Sequence, residues 1–152
     1  MPRRVVLLIV AGVAVLAGAL LVGLLPDRVD GGVAGPIRAF IDRLQASGAP
    51  VWVNYDLVDF VANIAFFVPI GLVAALLLPW RVWWLAIPIG AALSTALELG
   101  QALFLPQRYA SATDVLANTL GAVVGALIAA AIRSVRMRRA PSRQPVRRSA
   151  PR

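Results

Sequence analysis

The chain contains no cysteine and no histidine. The first absence removes disulfides, thiolate nucleophiles and thiolate-built zinc sites. The second removes a histidine general base and with it any Ser–His triad. Lysine is missing too, so all 15 basic side chains are arginine. Charge itself is scarce, at 14% of residues against 60% hydrophobic, and the mean hydropathy is +0.81. A soluble domain is about a quarter charged, so this composition excludes an ordinary soluble fold and points to a chain that spends its apolar surface on lipid.

Four apolar stretches, 5–25, 57–79, 82–105 and 113–132, are long enough to cross a bilayer, which takes roughly 20 residues. The expected fold is all-α, a polytopic membrane bundle of four transmembrane helices. Arg3 and Arg4 precede the first stretch, and Ala17-Gly18-Ala19 resembles a signal-peptide cleavage site. The apolar run continues past that triplet without a polar break, which favours an uncleaved helix over a signal peptide. The chain divides into a first span at 1–25, an extracytoplasmic linker at 26–55, a three-helix core at 56–132 and an Arg-rich tail at 133–152.

Orientation follows the arginines. Arg3, Arg4, Arg81 and the eight in the tail fall on one side; Arg28, Arg38, Arg43 and Arg108 fall on the other. The richer side is cytoplasmic by the positive-inside rule, so both termini are expected inside. The tail is rich in Arg, Pro and Ser and is expected to be disordered. In the outer linker, Ile37, Phe40, Ile41 and Leu44 repeat at helical spacing, with Arg38, Asp42, Arg43 and Gln45 between them. This reads as a short amphipathic helix on the outer membrane surface, or one packed on the bundle. Trp52 and Tyr55 suit an aromatic anchor at the outer boundary, and Trp80, Trp83 and Trp84 one at the inner.

Against this background the polar residues inside the spans stand out. Asp59-Phe-Val-Ala-Asn63 opens one span and Asp114-Val-Leu-Ala-Asn118 another; the span between them carries Glu98 and Gln101. Members of each pair, three or four residues apart, share a helix face. In the expected topology all of them, with Arg108, Tyr109 and Ser111 of the loop, gather at one level in the outer leaflet. Carboxylates and carboxamides there need pairing, water or a ligand. Plainer roles are open: Asp56 or Asp59 as a helix cap, Ser111 and Asp114 as a capping-box pair, Asn63 and Asn118 as interhelical hydrogen-bonding groups. Glu98, two turns inside its helix, is hardest to explain as structure alone, and Arg108 is its natural partner. Pro69 and Gly71 are expected to mark a kink or close packing and Pro88 to bend its helix, and Gly121-x-x-x-Gly125 to allow close helix approach.

Together these residues resemble the VanZ-like family. The pattern runs from Asp59 and Asn63 through Pro69 and Gly71, then Glu98 and Gln101, then Arg108, Asp114, Asn118 and Gly121, over about 56–132. The resemblance implies a small bacterial integral membrane protein of the plasma membrane. The family's namesake is associated with low-level resistance to teicoplanin-type glycopeptide antibiotics. The candidate ligand-binding residues are Asp59, Asn63, Glu98, Gln101, Arg108, Asp114 and Asn118. Arg108 would meet phosphate or carboxylate, Glu98 would orient Arg108, and the amides would supply hydrogen bonds.

Three functional classes fit. One is a non-enzymatic envelope protein that binds a head group. Another is a membrane enzyme in which Glu98 and Asp114 act as acid and base, or hold a divalent cation. The third is a small-solute transporter. The partners expected are membrane lipids, a lipid-linked cell-wall precursor or other envelope head group, anionic lipids at the tail, and further copies of the chain. Nucleic acid, a cofactor and a resident metal are not expected.

Overall fold

The structure is a computed structural model. It describes residues 34–105 and 110–139, with scattered residues of a helix between Arg3 and Gly18. Every regular element among them is helical: α1 (Ala34–Ala46), α2 (Tyr55–Leu77), a 3₁₀ segment (Trp80–Leu85), α3 (Ala86–Phe104) and α4 (Ala112–Arg139). Three stretches, Tyr55–Leu77, Trp80–Phe104 and Ala112–Arg138, are long and apolar enough to cross a membrane. The first expected span is helical at its described residues, and its end beyond Gly18 lies outside them.

The bundle is apolar outside and small inside. Leu103 and Phe104 are 78% and 77% exposed, whereas Ala75, Ala86, Ala117, Ala122, Ala126 and Ala129 are buried. In lipid, apolar bulk gains nothing from being inward; helices associate where small residues let their backbones meet. Glycines set the tightest meetings. A Cβ on Gly125 would lie 2.5 Å from the Leu72 nitrogen, and one on Gly71 would lie 2.6 Å from the Ala122 Cα. On Gly121 it would strike the Ile64 carbonyl and the Phe67 side chain; on Gly90, it would sit 2.5 Å from the Ala122 Cβ. The close approach expected of Gly121 and Gly125 is therefore present, and Gly71 receives it from α2.

These contacts also fix the register of α2 against α4. Gly121 seats between Ile64 and Phe67, and Gly125 between Val68 and Leu72. The two helices run parallel, and facing positions differ by the interval that separates Asp59 from Asp114 and Asn63 from Asn118. The twin Asp-x-x-x-Asn elements thus stand at one level.

Several ends differ from the sequence expectation. The N-cap of α2 is Asn54, whose side chain accepts from the Leu57 N–H at 3.0 Å. Asp56 and Asp59 are not the cap, because the helix begins before both. Pro69 lies inside α2 as expected and removes one backbone donor there. Pro88 falls in the first turn of α3, where a missing N–H costs little. The bend expected of it sits earlier, in the 3₁₀ segment, where Val82 leaves helical geometry (φ −128°, ψ 18°). The α4 helix continues past 132 to Arg139, so the first part of the expected disordered tail is helical; 140–152 lie outside the described residues. Arg133 is not a solvated tail charge. Its guanidinium donates to the Leu78 carbonyl at 2.9 Å and to the Leu76 carbonyl. It closes orphan carbonyls at the end of α2.

The expected amphipathic helix is α1. Ile41 is buried, Ile37 and Leu44 are half-buried, and Phe40 is exposed. A Schellman motif ends it: Ala49 N–H bonds the Leu44 carbonyl and Gly48 N–H the Gln45 carbonyl, both at 3.0 Å, with Gly48 at φ 101°. Gln45 Nε2 then donates to the Val53 carbonyl at 3.0 Å, and the Arg38 guanidinium lies 4.8 Å from the Tyr55 ring centroid. These contacts tie α1 to the start of α2.

Candidate functional site

The site begins with the start of α4. Ser111 precedes the helix, its carbonyl accepts from Val115 N–H at 3.2 Å and its hydroxyl accepts from Asp114 N–H at 3.2 Å. That is the N-cap arrangement expected of Ser-x-x-Asp. A capping box would have the Asp114 carboxylate return to the Ser111 N–H. Here that N–H donates instead to Glu98 Oε2 at 2.7 Å. A carboxylate from the middle helix has taken the partner that Asp114 would ordinarily hold.

Glu98 is 6% exposed. One turn deeper on the same face of α3 lies Ser94, fully buried. Its hydroxyl accepts from Asn118 Nδ2 at 2.9 Å. Two layers of polar contact therefore join α3 to α4, Glu98–Ser111 above and Ser94–Asn118 about 6 Å below, at 1.5 Å of helix rise per residue.

The lower layer is incomplete. Asn118 is 6% exposed and its Oδ1 is buried with no hydrogen-bond partner among the described residues. A buried acceptor left unmet costs about 1–3 kcal/mol. Asn118 therefore acts partly as the interhelical group expected and leaves one end of its amide open. The Asp114 side chain is half-buried, and its carboxylate has no partner among the described residues. Asn63 of α2 is also half-buried and forms no side-chain hydrogen bond among them. Asp59 and Gln101 are half-buried and each is held by an interaction of its own. Arg108, with Tyr109, lies outside the described residues.

The structure thus brings Glu98, Asp114 and Asn118 together through Ser111 and Ser94, and the glycine register sets Asp59 and Asn63 at the same level on α2. Ser94 is the residue that the sequence reading missed as a site member. Its position four residues before Glu98 places it on the same stripe. Ser111 was expected as a cap, and its bond to Glu98 could not be read from spacing. Chemically, the buried wall offers mainly acceptors: two carboxylates on α3 and α4, and the Asn118 carbonyl.

No curated protein and no solved structure matches the chain. The profile of one family, VanZ/LLP1, matches residues 32–133. The match is wider than the resemblance over 56–132 and takes in all of α1, the first two of the three spans, most of the third, and the polar layers. With two thirds of its length accounted for in this way, the chain belongs to the VanZ/LLP1 family, as a membrane protein.

Proposed function

We propose that the protein works in the bacterial plasma membrane, where its polar cluster binds an envelope head group from the outer leaflet and lowers susceptibility to teicoplanin-type glycopeptides. The observation that carries this reading is the unmet Asn118 Oδ1, one turn below a Glu98 carboxylate already fixed by Ser111. A buried amide with one end open is a poor structural device and a ready ligand contact. Arg108, at the head of the same loop, supplies the positive charge for phosphate or carboxylate. In this reading the first apolar stretch completes four spans and both termini are cytoplasmic. The α1 helix lies on the outer surface, and exposed Phe40 and Trp52 meet lipid there.

The test is expression of wild type and Glu98→Gln, at matched protein levels, in a susceptible Gram-positive host. Teicoplanin inhibition and surface binding of a fluorescent glycopeptide are measured. A binding site loses part of its effect, since the amide oxygen can still accept from Ser111. No protection by the wild type refutes the antibiotic role.

An enzyme acting on an envelope lipid or glycan is the second reading, and the Asp114 carboxylate, without a partner among the described residues, favours it. Glu98 meets the serine cap through its carboxylate and Asp114 through its backbone N–H, and in this reading the two carboxyl groups divide acid and base roles. Glu98→Gln would then abolish the effect rather than weaken it.

A further inference from the structure

The start of α4 has backbone donors that are already taken. Ser111 N–H goes to Glu98, Asp114 N–H to the Ser111 hydroxyl and Val115 N–H to the Ser111 carbonyl. A helix N-terminus ordinarily draws an anion through such donors. Here an anion would meet the Glu98 and Asp114 carboxylates instead. The groups left over are acceptors. They are the Asp114 carboxylate and, one turn deeper, Asn118 Oδ1, each without a partner among the described residues.

Both acceptors lie on one stripe of α4, and the stripe runs where three helices meet. Asp114, Asn118 and Ala122 repeat at intervals of four residues, on one helix face. Ala122 is wedged between α2 and α3: a Cβ added to Gly71 would lie 2.6 Å from its Cα, and one added to Gly90 2.5 Å from its Cβ. Burial deepens along the stripe. Asp114 is half-buried, Asn118 is 6% exposed and Ala122 is fully buried. The seam is therefore closed at Ala122 and opens at the Asp114 end. Ser94 of α3 holds Asn118 Nδ2, so the other end of this planar amide, Oδ1, points away from Ser94.

We infer that the open end of this seam binds a primary ammonium group, with the Asp114 carboxylate as its counter-charge and Asn118 Oδ1 accepting one of its N–H bonds. The inference rests on the head-group reading above and names the part of the head group that enters the seam. An ammonium supplies what both open acceptors need, a positive charge for one and a donor for the other. A quaternary amine has the charge without the donor, and a hydroxyl the donor without the charge. Among the described residues no three acidic side chains are grouped to hold a metal ion, which favours an organic ammonium over a bare divalent cation.

The test melts the full chain in detergent, followed by tryptophan fluorescence, with phosphatidylethanolamine, phosphatidylcholine or phosphatidylglycerol of the same acyl chains added. The first two share phosphate and net charge and differ in that methyl groups replace the N–H donors. A ligand that binds the folded state raises the melting temperature. Phosphatidylethanolamine is expected to do so at a several-fold lower concentration than phosphatidylcholine. Asp114→Asn should remove that difference, and it keeps the Ser111 cap, which holds the backbone N–H of Asp114 and not its carboxylate. Ser94→Ala with Asn118→Leu should remove it too. Ethanolammonium chloride without lipid identifies the source: a shift that depends on Asp114 shows that the ammonium suffices, and a shift from the lipid alone shows that it must arrive on a head group. Equal effects of phosphatidylethanolamine and phosphatidylcholine on the wild type overturn the proposal and assign water to Asn118 Oδ1. A stronger effect of phosphatidylglycerol overturns it, as does a preference that survives Asp114→Asn. The head-group reading is decided separately, by susceptibility and surface binding of the glycopeptide, so the two can fail independently.

Discussion

Alanine at position 125 tests the packing that sets the site. Its Cβ would lie 2.5 Å from the Leu72 nitrogen and 3.0 Å from the Gly71 carbonyl carbon, and would press on the Val68 carbonyl. All three are backbone atoms and cannot rotate away. Ordinary contact needs about 3.5–4 Å, so α2 and α4 must part by about 1 Å. A gap of that size forfeits a quarter to a half of the dispersion along the seam, and overpacking of this kind costs about 1–3 kcal/mol. Thiol-reactive unfolding dyes cannot be used on a chain without cysteine, so the assay is intrinsic tryptophan fluorescence during heating in detergent. Gly125→Ala should melt well below wild type, and Gly71→Ala likewise. Gly35→Ala is the control, because nothing lies within 4 Å of its added Cβ and alanine is the better helix former. If Gly125→Ala melts at or above the wild-type temperature while Gly35→Ala is unchanged, the seam is not the tight contact described and the register argument fails.

Four further outcomes follow from the same contacts. Glu98→Leu should lose about 1–3 kcal/mol by stranding the Ser111 N–H, while Glu98→Gln should keep most of that stability; thermal melts of the two variants side by side decide it. Ser94→Ala with Asn118→Leu removes both partners of a buried bond together with the unmet acceptor. The double variant should therefore be as stable as wild type or more so, yet inactive in the susceptibility assay. Arg133→Lys should destabilise nearly as much as Arg133→Gln, because an ammonium cannot reproduce a fork spanning two carbonyls; equal melting of Arg133→Lys and wild type would refute this. Asn54→Ala should cost about 1 kcal/mol through loss of the α2 cap, measured by the same melts.

How much of this was legible in the sequence depends on what kind of contact each residue makes. Three of the four expected spans were legible because apolar length is a one-dimensional property. So was the Gly121-x-x-x-Gly125 seam, since its spacing repeats along one helix face. Caps were only half legible. Ser111 could be named because its donor lies three residues on, whereas Asn54 lost out to two nearby aspartates that are equally good caps by composition. Which polar side chains pair between helices was not legible. The Glu98–Ser111 and Ser94–Asn118 bonds, and the Arg133 fork on α2, each need the rotation of one helix about its axis relative to another. Spacing within a helix says nothing about that rotation.

The twin Asp-x-x-x-Asn elements show where the two kinds of information meet. Repetition in the sequence does not place them together; parallel helices with a different glycine register would set them a turn apart. The contacts of Gly121 with Ile64 and Phe67 put them level. Being level does not make them equivalent, because α3 packs far more extensively on α4 than on α2. Asn118 is drawn into the interior by Ser94 and its backbone start is tied to Glu98, while Asn63 stays half-buried without a hydrogen bond among the described residues. The asparagine of the same five-residue pattern is thus fixed and buried on α4, and half-buried without a hydrogen bond among the described residues on α2. If the cluster binds a head group, the division of labour follows. Asn118→Asp or Asn118→Leu should alter which head group is accepted, because a pre-organised contact sets chemistry. Asn63→Ala should weaken binding of all of them by a similar factor, because a side chain with no fixed partner contributes affinity without orientation. Titration of both variants with the same set of head groups separates the two effects, and a selectivity change confined to Asn63→Ala would reverse the assignment.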